Sequence, residues 1–366
     1  MSQSSMSSVI DRQTPLVSIL TTTYNRSELL RRSISSVLKQ HFQDFELIII
    51  DDCSTDDTAE VVASFNDPRV RYIRNPVNEG GKLGDRGQIQ RFVYELMRGK
   101  YFAYLCDDDY WLNCDLLSRQ IEAFNSNENV SMVIGAQLSV YIENDGCADE
   151  IFPDTLSNYI NPVSYKALSD KVSYLDTGII PGFATSKDFL ENFAKAPTTR
   201  LLNSGATLFS RDHFVQSGAM RGDSGVQWQA GFELTLGPAC YGNVVYFPEP
   251  HLVVDARPRN VSYQRTQLEH FYDSLNSILA AFAPALKAGD SSVTRADLLR
   301  IRNTTMIKLA LAYLYNTLAI RQNGELSLCS SDNMSCPVTY KHVLPLLLKC
   351  RVFPDKEMRK LLWESR

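Results

Sequence analysis

The chain has 366 residues, 44% of them hydrophobic, which is ample for a packed core and more than one average domain needs. A formal net charge of −5 argues against a protein that wraps nucleic acid, because phosphate binding needs clustered positive charge; a single bound nucleotide stays compatible. Eight cysteines without a C-x-x-C pair, beside five histidines, speak against a zinc framework and fit reduced core thiols in a cytoplasmic protein.

Residues 1–14 read as a polar, Ser-rich leader without regular structure, lacking the charged and apolar regions of a signal peptide. A short apolar run from Leu16 to Thr21 then leads into polar Thr22-Thr23-Tyr24-Asn25, and Leu30, Ile34, Val37 and Leu38 follow at helical spacing. The unit repeats: a strand over Leu47–Ile50, a loop at Asp51-Asp52-Cys53-Ser54, and capping-box spacing from Ser54 to Asp57 before a helix ending near Phe65. A third strand over 70–73, a helix over 88–97 and a fourth strand over 101–106 complete the pattern. Strand and helix alternating in this way predict right-handed crossovers and a mainly parallel sheet covered on both faces. Ligands of such sheets bind at the carboxyl ends of the strands, so Thr22–Asn25, Asp51–Ser54 and Asp107–Asp109 should converge on one crevice. Residues 135–205 show poor periodicity and read as insertions. Helices are predicted over 264–287, 294–322 and 338–364, and the longest apolar candidate, 306–320, is interrupted by Lys308 and Asn316, so no membrane span is expected.

The strongest chemical signal is Asp107-Asp108-Asp109, directly after the apolar strand Tyr101-Phe102-Ala103-Tyr104-Leu105. Adjacent carboxylates repel one another unless a cation or a solvated loop tolerates them, and hard ions such as Mg²⁺ or Mn²⁺ commonly bridge carboxylates to substrate phosphates. Asp51-Asp52 closes the second strand in the same way; a carboxylate there can accept the imide N–H of a pyrimidine base or cap the next helix.

The segments Val17 to Arg26, Ser36-Val37-Leu38-Lys39-Gln40, Phe45 to Thr58, Asn78-Glu79-Gly80 and Gly99-Lys100-Tyr101 before the acidic triplet resemble, in order and spacing, the donor half of family 2 glycosyltransferases. The resemblance implies an α/β GT-A fold, a Rossmann-like mainly parallel sheet flanked by helices, with a UDP- or dTDP-sugar donor and inversion at the anomeric carbon. It implies that Thr22 and Tyr24 flank the base, with Tyr24 able to stack on it, and that Asp52 reads the base. By the same resemblance Asp107 lies near ribose and metal, Asp108 contacts the nucleotide-sugar, and Asp109 ends the Mn²⁺- or Mg²⁺-binding motif. Arg86 lies where the family often supplies a diphosphate-facing arginine, with Lys82 and Arg91 competing for that role. A weaker resemblance over 204–211 and 242–250 fixes the register of the acceptor half. There Gly231 stands where the family places its catalytic aspartate, and Arg257 where a metal-assisting histidine often follows; an arginine can contact the diphosphate instead. Glycine cannot take a proton, which leaves Glu233 as the nearest candidate base and Asp223 in reserve.

The expected organisation is a GT-A domain over 15–263, divided into a nucleotide-sugar half (15–125) and an acceptor half (126–263), followed by a helical extension over 264–366. The acceptor would be a glycan, a lipid-linked sugar or a small molecule, used in bacterial-type polysaccharide or glycoconjugate synthesis. The basic, leucine-rich C-terminal helices are suited to packing on the catalytic domain or to peripheral contact with a membrane. The alternative reading is a nucleotide-sugar-binding or scaffold protein that has lost its base, with Gly231 as its main support. A dinucleotide-dependent oxidoreductase fits poorly, because the first strand does not lead into a G-x-G-x-x-G turn.

Overall fold

The computed structural model describes residues 14–78, 92–140, 172–174, 179–195, 204–219, 230–255, 267–323 and 344–345. The first half is built as the spacing predicts: β1 (Val17–Thr23), α1 (Ser27–Leu38), β2 (Phe45–Asp51), α2 (Thr58–Ser64), β3 (Val70–Arg74), then β4 (Tyr101–Tyr104) and β5 (Tyr110–Trp111). A π-helical turn over Phe92–Leu96 stands inside the span expected as a helix; residues 88–91 lie outside the described part. The chain continues through α3 (Leu116–Ser126), β6 (Val130–Val140), β7 (Val172–Tyr174), β8 (Gly182–Ala184), α4 (Ser186–Lys195), β9 (Thr207–Ser210), α5 (Arg211–Ser217), α6 (Ala230–Ala239), β10 (Asn243–Asp255), α7 (Gln267–Ala288) and α8 (Arg295–Asn323). Of the third predicted C-terminal helix only residues 344–345 are described.

Among the described residues one sheet runs β3-β2-β1-β4-β9-β6-β10-β5, with β7 on β6 and β8 on β10. The block β3-β2-β1-β4 is parallel throughout. Beyond it the sheet is mixed: β9 runs antiparallel to β4 and β6, and β6 and β10 are parallel to each other. The parallel expectation therefore describes the donor half, where strand and helix alternate in sequence, and loses force where the alternation stops.

Both faces of β1, β2 and β4 are buried, which is why these strands read as apolar runs, while the edge strand β3 (Val-Arg-Tyr-Ile-Arg) is only half-buried. Leu20, Ile48, Ile50 and Phe102 enter one core; Val17, Ile19, Leu47, Ile49 and Ala103 enter the other. Phe102 stacks on Phe209 at 5.1 Å between centroids and meets Phe214 edge-on at 4.9 Å, joining the two halves across the β4–β9 pairing. The C-terminal helices share the first core: Phe271, Leu275, Ile278, Phe282 and Ala285 form the buried stripe of α7, and Leu298, Ile301, Met306 and Leu309 that of α8. Ion pairs Lys187–Asp297 (2.9 Å) and Arg300–Glu191 (2.5 Å) add surface links between α4 and α8. No described helix is long and apolar enough to cross a membrane.

A polar knot, which composition and periodicity do not reveal, closes the sheet at the strand starts, opposite the acidic loops. Glu46, 2% exposed on β2, accepts from Ser18 Oγ (2.7 Å), Arg98 N (3.0 Å), Arg98 Nη2 (2.8 Å) and Arg71 Nη1 (2.7 Å). Gly99 enters this knot because a Cβ there would lie 2.6 Å from the Ser18 nitrogen and 2.8 Å from the Tyr101 carbonyl oxygen. Although burial alone would raise the Glu46 pKa, the bonds from Arg98, Ser18 and Arg71 hold it below the usual carboxylate range. A depressed pKa stabilises the fold above the ordinary glutamate range and the contribution is lost as pH falls through the folded value. Glu46→Gln should cost about 2 to 3 kcal/mol at neutral pH, the lower end for a broken buried pair because both arginines reach solvent. Denaturant melts check this: the gap between wild type and variant should shrink on acidification below the carboxylate range, and an unchanged neutral midpoint would contradict it.

Candidate active site

Parallel pairing aligns the strand ends. Thr23 is in register with Asp51, the Asp52 N–H donates to the Thr23 carbonyl (2.9 Å), and the Leu105 N–H donates to the Leu20 carbonyl (2.9 Å), so the segments leaving β1, β2 and β4 emerge side by side. Two of these turns need left-handed backbone at non-glycine residues: Asn25 has φ 51° and Cys53 φ 65°. Asparagine tolerates that conformation readily and its side chain is used, Oδ1 accepting the Thr55 N–H at 2.7 Å. Ser54 ties the loops together, accepting the Asn25 N–H on Oγ (2.9 Å) and donating its own N–H to Asp51 Oδ1 (2.9 Å). The capping box expected from Ser54 to Asp57 is not formed, since the N-cap Asp57 makes no side-chain cap bond; instead Asp56 ties the two helix starts together, accepting the N–H groups of Ser27 (3.1 Å) and Thr58 (3.2 Å).

The two carboxylates at the end of β2 do different work. Asp51, 1% exposed, is a structural acceptor for Ser54 N and for Tyr72 OH (2.5 Å), and pairs electrostatically with Arg74 at 3.8 Å. Burial and the Asp51 carboxylate together push the Tyr72 hydroxyl far above its ordinary pKa, so it stays a donor. Asp52 Oδ1 accepts from Asn75 Nδ2 at 3.0 Å, and the Asp52 carbonyl accepts from Asn78 Nδ2 at 3.0 Å. Asn75 carries no signal in the sequence beyond directly following β3. Tyr24 is 46% exposed, an aromatic ring left facing solvent at the end of β1. Thr22 Oγ1 lies 2.8 Å from Tyr104 OH.

The acidic loop after β4 is anchored from α1. Asp107 and Asp109 are buried, at 6% and 3% exposed. Arg26 Nη1 donates to Asp107 Oδ1 (3.1 Å) and Asp108 Oδ2 (2.9 Å). Arg32 Nη2 donates to the Asp108 carbonyl (3.1 Å) while its guanidinium lies over the Tyr110 ring at 4.6 Å, and Ser33 Oγ donates to the Cys106 carbonyl (3.3 Å). Burial first and the Asp108 charge second raise the Asp107 carboxyl to about 7, against the pull of Arg26. For Arg26 burial disfavours the charge, but Asp107 and Asp108 outweigh it and the guanidinium is held charged more firmly than usual.

Ligand atoms of Cys106, Asp108 and Asp109 all lie within 4.8 Å of one another. Of the pair expected to hold an ion, Asp109 thus groups with Asp108, while Asp107 faces Arg26. Two neighbouring carboxylates suit a hard divalent cation; the Cys106 thiol, pushed well up by burial and by the aspartates, is the poorer donor to such an ion.

On the acceptor side Gly231 and Glu233 lie in the first turn of α6, as a shared helix start requires, and Glu233 is 2% exposed between Phe232 and Leu234. Arg86, Asp223 and Arg257, with Lys82 and Arg91, lie outside the described residues. Trp111 belongs to the core, 4% exposed with Nε1 donating to the Gly205 carbonyl (2.5 Å). His251 is also interior, with ring nitrogens 3.1 Å from Asn113 Nδ2 and 3.4 Å from Arg119 Nη1; burial first and Arg119 second bring its pKa down to about 4, so it is neutral at pH 7.

Residues 18–193 match the model of glycosyl transferase family 2. The chain is 29% identical over 184 residues to the UDP-Glc:alpha-D-GlcNAc-diphosphoundecaprenol beta-1,3-glucosyltransferase WfgD of Escherichia coli, covering 45% of this chain and 70% of that protein. It is 34% identical over 134 residues to the GalNAc(5)-diNAcBac-PP-undecaprenol beta-1,3-glucosyltransferase of Campylobacter jejuni, covering 36% and 40%. Other curated relatives are matched over as little as 23% of their own length. Among solved structures, S. aureus TarS 1–349 in complex with UDP-GlcNAc superposes with a TM-score of 0.57 at 12% identity, covering 84% of this chain and 76% of that one, a likeness of fold. The aligned strand-end clusters, the family match over residues 18–193 and the likeness of fold together make this chain similar to glycosyl transferase family 2, on an α/β fold like that of the GT-A glycosyltransferases.

Proposed function

We propose that the protein transfers a sugar from a UDP- or dTDP-sugar to an acceptor hydroxyl, with inversion, in the assembly of a bacterial polysaccharide or glycoconjugate. The observation that carries this reading is the meeting of Tyr24, Asp52 and the acidic loop at one edge of the parallel block, an arrangement the packing of the fold does not require. In it an exposed ring supports stacking on a base, and Asp52, held by Asn75, supports acceptance of an imide N–H. The relatives named for glucosyl transfer to diphosphoundecaprenol-linked sugars favour a lipid-linked acceptor, with glycan and small-molecule acceptors as the alternatives.

In this reading Asp108 and Asp109 hold Mn²⁺ or Mg²⁺, Asp107 lies toward the ribose, and Arg86 and Arg257 contact the diphosphate. The ion's contribution is charge neutralisation of the departing nucleoside diphosphate. The chain's own residues do the remaining work: Thr22 and Tyr24 orient the base, Asp52 selects it, and Glu233 takes the proton from the acceptor oxygen as that oxygen attacks the anomeric carbon. Asp223 is the reserve for that proton. Glycine at 231 favours a second reading, a nucleotide-sugar-binding or scaffold protein without turnover. Peripheral contact with a membrane through the basic C-terminal helices fits the lipid-linked acceptor.

Asp52→Ala should weaken UDP or dTDP binding by about 1 to 3 kcal/mol, the cost of losing a charge-assisted hydrogen bond from a desolvated site. Calorimetric titration checks it, and unchanged affinity would leave Asp52 a purely structural group. Glu233→Gln should lower turnover at least about a hundredfold while the donor dissociation constant stays nearly constant, since a base facing the acceptor acts on the chemical step. Normal turnover in that variant with a dead Asp223→Asn would move the role to Asp223. Absence of both transfer and slow donor hydrolysis in the wild type would favour the binding-protein reading.

A further inference from the structure

We infer that Arg26 is a built-in counter-cation of the acidic loop, competing with the divalent ion for Asp108, so that the ion binds firmly only once a nucleoside diphosphate is present to take up the arginine. The inference rests on the reading of Asp108 and Asp109 as ion ligands. Asp108 stands in both settings: its Oδ2 accepts from Arg26 Nη1 at 2.9 Å, and it belongs to the cluster whose ligand atoms lie within 4.8 Å of one another. A guanidinium and a divalent ion brought to the same carboxylate repel each other, and in a partly desolvated site that repulsion is a large fraction of the binding energy.

The geometry marks the arginine as displaceable. Both of its bonds to the loop carboxylates, to Asp107 and Asp108, leave from the single nitrogen Nη1, without the two-pronged grip that makes arginine–carboxylate pairs strong. Its side chain is 38% exposed, so it lies on the open side of the loop, whereas those of Asp107 and Asp108 are 8% and 15% exposed. Arg26 also precedes the first turn of α1, so its side chain can exchange partners without moving the helix. Arg32 cannot substitute in this role, because its bond is to the Asp108 carbonyl and its guanidinium is spread over Tyr110. A diphosphate arriving beside the loop offers the guanidinium better acceptors than carboxylates already claimed by an ion.

The test measures Mn²⁺ binding directly, by the electron paramagnetic resonance signal of free Mn²⁺, for the full chain with and without UDP. Wild type should bind Mn²⁺ weakly alone and much more tightly with UDP. Arg26→Met should bind Mn²⁺ alone at least about tenfold more tightly, from loss of one unit charge near the ion, and should lose about tenfold of the enhancement that UDP confers. Arg26→Gln, which keeps hydrogen-bond donors but no charge, should behave like Arg26→Met, and Arg26→Lys like wild type; thermal melts identify any variant that fails to fold. A folded Arg26→Met or Arg26→Gln with wild-type Mn²⁺ affinity overturns the inference alone. Absence of Mn²⁺ binding in wild type and variants, even with UDP, overturns the ion reading and the inference with it.

Discussion

Three consecutive carboxylates at a buried strand end repel one another, and the site depends on what offsets that repulsion. Asp107 and Asp109 are almost wholly removed from water, so the offset must come from fixed charge and backbone rather than from solvent. Arg26 supplies the charge, and Arg32 and Ser33 fix the carbonyls of Asp108 and Cys106. All three belong to α1 or its immediate approach, so the helix that follows the first strand also organises the loop that follows the fourth. The Asp107 carboxyl is nonetheless raised to about 7, by burial first and the Asp108 charge second, against the pull of Arg26.

The same fold logic sets the other pieces. Parallel strands buried on both faces bring their carboxyl ends to a common edge, where Asp52 and Tyr24 join the acidic loop. At the opposite end Glu46 gathers Ser18, Arg71 and Arg98, clamping β1, β2, β3 and the start of β4. One buried carboxylate therefore holds the strand starts together, at the end of the sheet opposite the acidic loop. The helices after β10 do not form a separate body: α7 and α8 bury their apolar stripes in the core beneath the sheet.

How much of this was legible in the sequence follows from the range of the interactions. Apolar runs and helical spacing are local, so β1 to β4 and the helices between them could be placed to within a few residues. Strand-end chemistry was legible for the same reason, since Asp52 and the acidic triplet directly follow apolar runs. What was not legible depends on pairing across distance. Nothing near Asn75 announces that its amide meets Asp52, nothing near Arg26 announces that it faces Asp107 and Asp108, and the left-handed backbone of Cys53 has no compositional signature. The grouping of Asp109 with Asp108 also turns on side-chain direction, which spacing in a loop does not fix. In the second half, β9 inserts antiparallel between β4 and β6, a pairing between segments about a hundred residues apart. Gly231, which the resemblance sets at the position of a catalytic aspartate, and Glu233 share the first turn of α6.

The acidic loop and Asp52 are proposed to form one ion-dependent site for a pyrimidine nucleoside diphosphate. A calorimetric titration of UDP into the full chain, in saturating Mn²⁺ and again in EDTA, tests it most directly. The account predicts clear binding with Mn²⁺ and a loss of at least about tenfold in affinity without it, because the diphosphate charge then faces uncompensated carboxylates. Equal affinity in the two conditions would contradict it, and would assign Asp108 and Asp109 to the architecture of the loop alone.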